Sequence, residues 1–157
     1  MCGTWGPVVD SIMDYVGMAR FSKTAEVLDH LSAKAKDTPA GEWIAARNFD
    51  PAVQTGPDAL TFKELDAVST AHPIFVFNAS GHLAYANSKA SEVAGIPADV
   101  KAPPGAEFVR DADNKLTSVM KNNVAFLQVL GKYPALAKAD PTEAMIHPTR
   151  EGGCVVG

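Results

Sequence analysis

Residues 73–82 read Pro73-Ile74-Phe75-Val76-Phe77-Asn78-Ala79-Ser80-Gly81-His82 and contain the clearest strand signal in the chain. Four β-forming apolar residues stand in succession at residues 74–77, a pattern typical of a strand that is covered on both faces and lies centrally in a sheet. The polar residues that follow tolerate tight-turn and left-handed backbone, so they close the strand. Because ligands of α/β folds bind at the carboxyl ends of strands, this turn is a candidate functional site.

Helix and strand signals alternate on the N-terminal side of this strand. Residues 23–36 place apolar side chains on one face at helical spacing, and Ser22 or Thr24 can cap that helix. The short apolar run at residues 43–46 predicts a buried strand. Thr61 and Glu64 then form a capping box, which predicts the beginning of a short helix.

The C-terminal side adds two helices and a hairpin. Apolar residues at 83, 86, 90 and 93 recur at helical spacing, which predicts a helix that follows the turn and ends at Gly95. Residues 106–110 and 116–120 flank a cluster of turn formers and predict a β-hairpin, and Asn123 can cap a last apolar helix. We therefore expect an α/β chain, or α+β when it is isolated, built from short strands, helices and one β-hairpin.

Composition bounds the class of protein. The chain has 157 residues, of which 46% are hydrophobic and 20% charged, and this profile predicts a single globular domain over residues 1–157 and excludes disorder. With 14 basic and 18 acidic residues, the chain lacks the positive field of a nucleic-acid binder. Because we find neither a long apolar run nor an export signal, we expect no membrane association and a cytoplasmic location.

No short motif names a reaction, since we find no phosphate-binding loop, nucleophile elbow, HExxH or CxxC. Cys2 and Cys154 lie at opposite ends, so we expect free thiols, with a disulfide between them as the less favoured alternative. Asp111 and Asp113 fit solvated turn formers. The histidines are dispersed, and three of them fit surface or capping roles: His30, His72 and His147.

His82 differs from the other histidines because it follows the predicted central strand. Asn78, Ser80 and Asn87 are polar residues that could share a site with it. The alternative for each is local turn or cap chemistry, in which a short polar side chain bonds to nearby backbone. Position alone leaves both interpretations open.

Five blocks of the chain, in order and at matching spacing over about residues 20–130, resemble a known family. The blocks are Trp43-Ile44-Ala45-Ala46-Arg47-Asn48-Phe49-Asp50-Pro51, Leu65-Asp66-Ala67-Val68-Ser69, the strand and turn at residues 73–82, Ala86-Asn87-Ser88-Lys89-Ala90 with Ala94-Gly95-Ile96, and Phe108-Val109-Arg110-Asp111 with Leu116-Thr117. They are similar to amidohydrolase family 3, and within it to YtcJ-like metal-dependent hydrolases and N-substituted formamide deformylases.

This resemblance implies a TIM barrel in which the present chain is the segment between the first and second barrel strands. Family members hold a divalent metal ion, with zinc favoured, and the ion activates water to attack an amide or related C–N bond. By the resemblance, a metal-binding histidine of the family is either outside this chain or replaced by Cys2, which is the one candidate ligand here, so we expect no metal to be bound by this chain alone. By position, His82, Asn78, Ser80 and Asn87 would lie near the substrate cavity.

The resulting hypothesis is an N-terminal piece or split subunit of a metal-dependent amidohydrolase, inactive without the rest of the barrel. Its expected partners are a second polypeptide that completes the barrel, or another copy of itself, and a small-molecule amide substrate. Exposed apolar strand faces and unpaired edges would favour such association. The main alternative is a non-catalytic remnant, or a module of the same fold that binds a small molecule or a partner. A weaker alternative is a metal-binding protein that uses Cys2, His82 and Cys154.

Overall fold

The computed structural model describes residues 12–57 and 60–134. The described strands are β1 (Asp14–Tyr15), β2 (Ile44–Phe49), β3 (Ile74–Asn78), β4 (Leu83–Ala86), β5 (Glu107–Arg110) and β6 (Leu116–Lys121). The described helices are α1 (Thr24–Asp37), α2 (Phe62–Val68), α3 (Ser88–Ala94) and α4 (Asn123–Leu130). Cys2, His147 and Cys154, which the sequence analysis considers, lie outside the described residues.

The six strands form one mixed sheet in the order β1-β2-β3-β4-β6-β5. Strands β1, β2 and β3 run parallel, whereas β4 is antiparallel to both β3 and β6, and β5 is antiparallel to β6. Strand β3 lies inside the sheet and all five of its residues are buried. The prediction of a central strand covered on both faces is therefore confirmed.

Residues 83–86 form a strand, so the prediction that a helix begins directly after the turn is wrong. The chain reverses at residues 78–82, and β4 then pairs antiparallel with β3, with Ala84 opposite Phe77. The helical spacing was misleading because a short apolar run fits a buried strand as well as a helix face. Helix α3 begins only at Ser88, and it ends at Gly95 as predicted.

The other predicted elements agree with the structure, but two predicted caps are wrong, since the N-cap of α1 is Lys23 rather than Ser22 or Thr24. Helix α1 covers 24–37, although the carboxylate that caps it belongs to Glu26, which accepts hydrogen bonds from the Ser22 and Lys23 amides at 3.0 and 3.1 Å. The predicted capping box opens α2, where Glu64 accepts from the Thr61 amide at 2.8 Å. The predicted hairpin is formed by β5 and β6. The N-cap of α4 is Asn122, one residue before the predicted Asn123.

Helices cover both faces of the sheet in the described part of the chain. On one face, Val27 and Leu31 of α1 and Leu65 of α2 pack against Ile74 and Val76 of β3 in one hydrophobic cluster. On the other face, β3 contributes two phenylalanines to a second cluster that includes Ala90 of α3 and four residues of α4. The members of that cluster from β3 and α4 are Phe75, Phe77, Ala125, Phe126, Val129 and Leu130.

This two-sided core corrects the expectation that the chain exposes apolar strand faces. Bare sheet faces therefore give no reason for association. Among the described strands, β1 and β5 are the outer ones, so an edge that could pair with another strand would be theirs. Among the helices of residues 12–57 and 60–134, none combines the length and the apolar character needed to cross a bilayer.

Gly56 lies in a turn that packs closely against the side chain of Thr24, so a substitution there tests the packing of the core. Gly56 has φ +152°, and a Cβ placed there would lie 2.5 Å from Oγ1 of the fully buried Thr24. We expect Gly56→Ala to lower the free energy of unfolding by about 2–4 kcal/mol, because the added methyl group overlaps a side chain that cannot move into solvent. Urea denaturation followed by circular dichroism measures the loss.

Gly105→Ala is the matched control for this substitution. Gly105 also has a positive φ, +82°, but apart from its two chain neighbours no described residue comes within 4 Å of the position that an added methyl group would take there. Backbone strain alone should cost about 1 kcal/mol at this residue. Equal losses for the two variants would show that Thr24 does not confine Gly56.

Candidate functional site

The carboxyl ends of β1, β2, β3 and β6 lie along one edge of the sheet, which we call the carboxyl edge. It comprises residues 15–16, 47–50, 78–82 and 121–122. Phe49 at the end of β2 pairs with Asn78 at the end of β3, and Leu83 at the start of β4 pairs with Lys121 at the end of β6. The predicted turn after β3 therefore lies at the edge where α/β folds bind ligands.

The turn at residues 78–82 is built from side chains that bond to its own backbone. Asn78 Oδ1 accepts a hydrogen bond from the Ser80 amide at 2.8 Å, and Ser80 Oγ accepts from the His82 amide at 3.2 Å. The Gly81 amide also donates to the Asn78 carbonyl at 3.0 Å. Ser80 and His82 are exposed at the tip of the β3–β4 hairpin, so their side chains are available to a ligand.

Asn78 points inward and holds the turn. Its side chain is 5% exposed, and its Nδ2 donates to the hydroxyl of Tyr85 at 3.0 Å. Burial raises the pKa of Tyr85, and the nearby charge of Asp50 adds to that effect against the opposing hydrogen bond from Asn78. The phenol is therefore neutral at physiological pH and serves as a fixed partner for the Asn78 amide.

Two asparagines with left-handed backbone flank this turn, one on each side. Asn48 has φ 68° at the irregularity near the end of β2, and its Oδ1 accepts from Nη1 of Arg47 at 2.9 Å. Asn122 also has φ 68°, and its backbone amide donates a hydrogen bond to the His82 carbonyl at 2.7 Å. Strained backbone concentrates at functional sites. No motif in the sequence singled out these two residues, although asparagine is among the residues other than glycine that most often take a positive φ.

Asn87, the fourth candidate, lies at the opposite edge of the sheet and is fully buried. Its Oδ1 accepts from the Ile74 and Ala90 amides, both at 2.9 Å. Its Nδ2 donates to the carbonyls of Ser69 and His72 at 2.9 and 2.8 Å. A side-chain amide offers two donors and two acceptor sites, so all four hydrogen-bonding positions of the Asn87 side chain are occupied by the fold. The structure does not bring it together with the other three candidates.

The other two described histidines, His30 and His72, make hydrogen bonds or ion pairs within the protein and lie apart from the carboxyl edge. His72 is buried, and its two ring nitrogens lie 2.7 Å from Ser69 Oγ and 2.8 Å from the Thr38 carbonyl oxygen. His30 lies 3.3 Å from the carboxylate of Asp14, which Lys34 also contacts at 2.6 Å. Burial acts to raise the pKa of Asp14, but its hydrogen bonds and charge interactions with these two residues lower it overall.

The acidic pair in the second hairpin behaves as the turn formers predicted from sequence. Asp111 accepts hydrogen bonds from the amides of Asp113 and Lys115 at 2.9 and 3.0 Å. Across residues 12–57 and 60–134, no three histidine, cysteine, aspartate or glutamate side chains come close enough together to hold a metal ion. The described residues therefore do not fit a metal site, and the candidate ligand Cys2 lies outside them.

Comparisons with known proteins agree on one family. The amidohydrolase family model matches residues 15–151. The N-substituted formamide deformylase of Arthrobacter pascens is 33% identical over 134 residues, which is 84% of this chain and 25% of the relative. The amidohydrolase YtcJ of Bacillus subtilis is 24% identical over 119 residues, or 76% of this chain and 22% of the relative. The chain thus spans about a quarter of the length of these relatives.

Solved structures show the same fold. A metal-dependent hydrolase from Pyrococcus horikoshii superposes with a TM-score of 0.53 at 17% identity, covering 91% of this chain and 25% of that protein. One from Pyrococcus furiosus gives a TM-score of 0.52 at 13% identity, with 91% and 26% covered. The fold is therefore found as part of larger hydrolases. Together with the family match along most of its length, this places the chain in the amidohydrolase family.

Proposed function

We propose that this chain is the N-terminal, substrate-contacting part of a metal-dependent amidohydrolase that hydrolyses C–N bonds of the amide or formamide type. The family match and the 33% identity to a formamide deformylase support the reaction class. The observation that supports a substrate-contacting role for this segment is the turn at the carboxyl edge, where Ser80 and His82 are exposed to solvent.

His82 and Ser80 suit an amide substrate chemically. An amide group offers a carbonyl oxygen as acceptor and, when it carries hydrogen on nitrogen, a donor. A neutral imidazole and a hydroxyl each supply both a donor and an acceptor. In this proposal His82 makes the principal polar contact to the substrate, Ser80 assists it, and Asn78 supports the turn from below. Asn87 supports the fold at the other edge and makes no substrate contact.

The metal ion belongs to the complete enzyme in this proposal. We propose a divalent ion, zinc in the first instance, held by residues outside the described part of the chain in a TIM barrel. Cys2 stays a candidate ligand. The chain by itself would then be inactive, and the enzyme would work in the cytoplasm.

The proposed partner is the polypeptide that supplies the rest of the barrel, with self-association as the alternative. Within the part of the chain that the structure describes, β1 and β5 are the outer strands of the sheet, so their outer edges are where added strands can pair. Native mass spectrometry of the purified chain distinguishes the two cases. A larger second polypeptide in the complex supports the first, and multiples of the 16.5 kDa chain support the second.

A chimeric enzyme tests the proposed function directly. In it, residues 15–151 of this chain replace the matching segment of the Arthrobacter deformylase, and release of formate from an N-substituted formamide is measured. We expect the metal-loaded chimera to release formate at a rate well above the uncatalysed reaction. A folded, metal-loaded chimera without activity would contradict the proposal and favour a non-catalytic binding module.

A folding failure of the chimera would be uninformative by itself, so a second arrangement is needed. The full 157-residue chain is expressed together with the remainder of the deformylase as a separate polypeptide. Formate release that requires both polypeptides supports the proposal. A stable complex of the two without activity counts against it.

A further inference from the structure

We propose that Tyr85 is a positioning residue whose buried hydroxyl holds Asn78 and, through Asn78 and Ser80, fixes the turn that presents His82. The inference rests on the proposed function for the role of His82 in substrate binding. It goes beyond that proposal because Tyr85 lies in the core of the protein and touches no substrate.

The first observation is the burial of the hydroxyl. Tyr85 is 1% exposed, and its ring packs edge-on against Phe49, with ring centroids 5.6 Å apart and an interplanar angle of 80°. Phenylalanine would fill this apolar space without a hydroxyl to desolvate. A buried hydroxyl needs a hydrogen-bond partner to offset its lost hydration. Nδ2 of Asn78, at 3.0 Å, is that partner.

The second observation is the continuity of the hydrogen bonds. Nδ2 of Asn78 donates to Tyr85, while Oδ1 of the same amide accepts from the Ser80 amide at 2.8 Å. Ser80 Oγ in turn accepts from the His82 amide at 3.2 Å. Because the two ends of one planar amide are held at once, the hydroxyl sets the plane of the Asn78 amide. That plane directs Oδ1 toward the turn.

The third observation is that this path runs from the buried core to an exposed turn. Tyr85 lies in β4 between two strands of the sheet, and Asn78 ends the fully buried β3. Ser80 and His82 are exposed beyond the strand ends. The path therefore links the orientation of the turn to the core, in addition to the backbone hydrogen bonds that the turn makes with Phe49 and Asn122.

Amide hydrogen exchange in the full 157-residue chain tests this inference without any activity. We expect Tyr85→Phe to speed exchange of the Ser80 and His82 amides about five- to tenfold, because one hydrogen bond worth roughly 1–1.4 kcal/mol no longer orders the turn. Exchange of the Val76 amide, within β3, should stay unchanged. Native exchange rates at Ser80 and His82 in a folded Tyr85→Phe protein would overturn the inference.

Tyr133→Phe is the matched control, since it also removes a tyrosine hydroxyl that makes a hydrogen bond. The Tyr133 hydroxyl donates to the Ile12 carbonyl at 2.9 Å, away from the carboxyl edge. We expect no effect of this variant on the Ser80 and His82 amides. If Tyr85→Phe fails to fold, Tyr85→Leu removes the same hydroxyl while Asn78 keeps its acceptor for the Ser80 amide, and it must speed exchange of the same two amides.

The chimera then separates a positioning role from a merely structural one. We expect Tyr85→Phe to raise KM about five- to tenfold with kcat within twofold, and its effect not to add to that of Asn78→Ala. Additive effects of the two substitutions would overturn the link between these residues. Faster exchange with no change of activity for His82→Ala would refute the proposed function and leave the positioning intact.

Discussion

Asn87→Ala should lower the free energy of unfolding by about 3–5 kcal/mol, the largest stability effect that we expect from a single polar substitution in this chain. Asn87 is fully buried, and its amide satisfies four backbone groups. Alanine leaves two N–H groups and two carbonyls without this partner in a site closed to water. It also removes the side-chain cap of α3.

Urea denaturation of the full chain measures this loss, and Glu92→Ala on the same helix is its control. Glu92 is exposed and contacts Lys89 at 3.4 Å, an ion pair that contributes little at the surface. We expect a change within about 0.5 kcal/mol for the control. A loss below about 1 kcal/mol for Asn87→Ala would mean that the amide does not hold β3, α3 and the end of α2 together.

His82→Ala should lower kcat/KM of the chimera for an N-substituted formamide about 10- to 100-fold. Leaving a polar group of the bound substrate without its hydrogen-bond partner costs roughly 1.4–2.7 kcal/mol of transition-state binding, and that range converts to this loss. His82→Gln should recover part of the activity, because its amide also carries a donor and an acceptor. Both variants should keep the stability of the parent chimera, since His82 is exposed.

Asp113→Ala provides the control for this substitution. Asp113 is likewise exposed at the tip of a hairpin, but the turn between β5 and β6 lies at the opposite edge of the sheet. We expect its kcat/KM to stay within twofold of the parent. Equal losses for both variants would point to a general effect on the chimera, and no loss for His82→Ala would remove His82 from the substrate site.

Local sequence patterns predicted much of the fold. Apolar spacing identified α1, the capping box identified the start of α2, and the run at residues 74–77 identified the buried central strand. Each of these signals arises within a few residues of the chain. Strand β4 was missed because the four residues Leu83–Ala86 are too few for the spacing of their apolar side chains to distinguish a strand from a helix. Its pairing partners in β6 also lie more than 30 residues later in the sequence, where no local pattern can indicate the pairing.

The candidate site was predicted only in part for the same physical reason. The position of the turn after a central strand followed from the pattern, and Ser80 and His82 are exposed there. The roles of Asn78 and Asn87 depend on Tyr85 and on the Ser69 carbonyl, which tertiary pairing brings close. No local pattern distinguishes an asparagine that faces solvent from one whose amide is fully used inside the protein.

A crystal structure of the metal-loaded chimera with a bound formamide analogue tests the central claim most directly. We predict that the β3–β4 turn faces the same cavity as the metal ion. The side chain of His82 should lie within about 2.7–3.2 Å of a polar atom of the analogue. A turn that faces solvent, with the analogue held entirely by residues from the deformylase, would contradict the account.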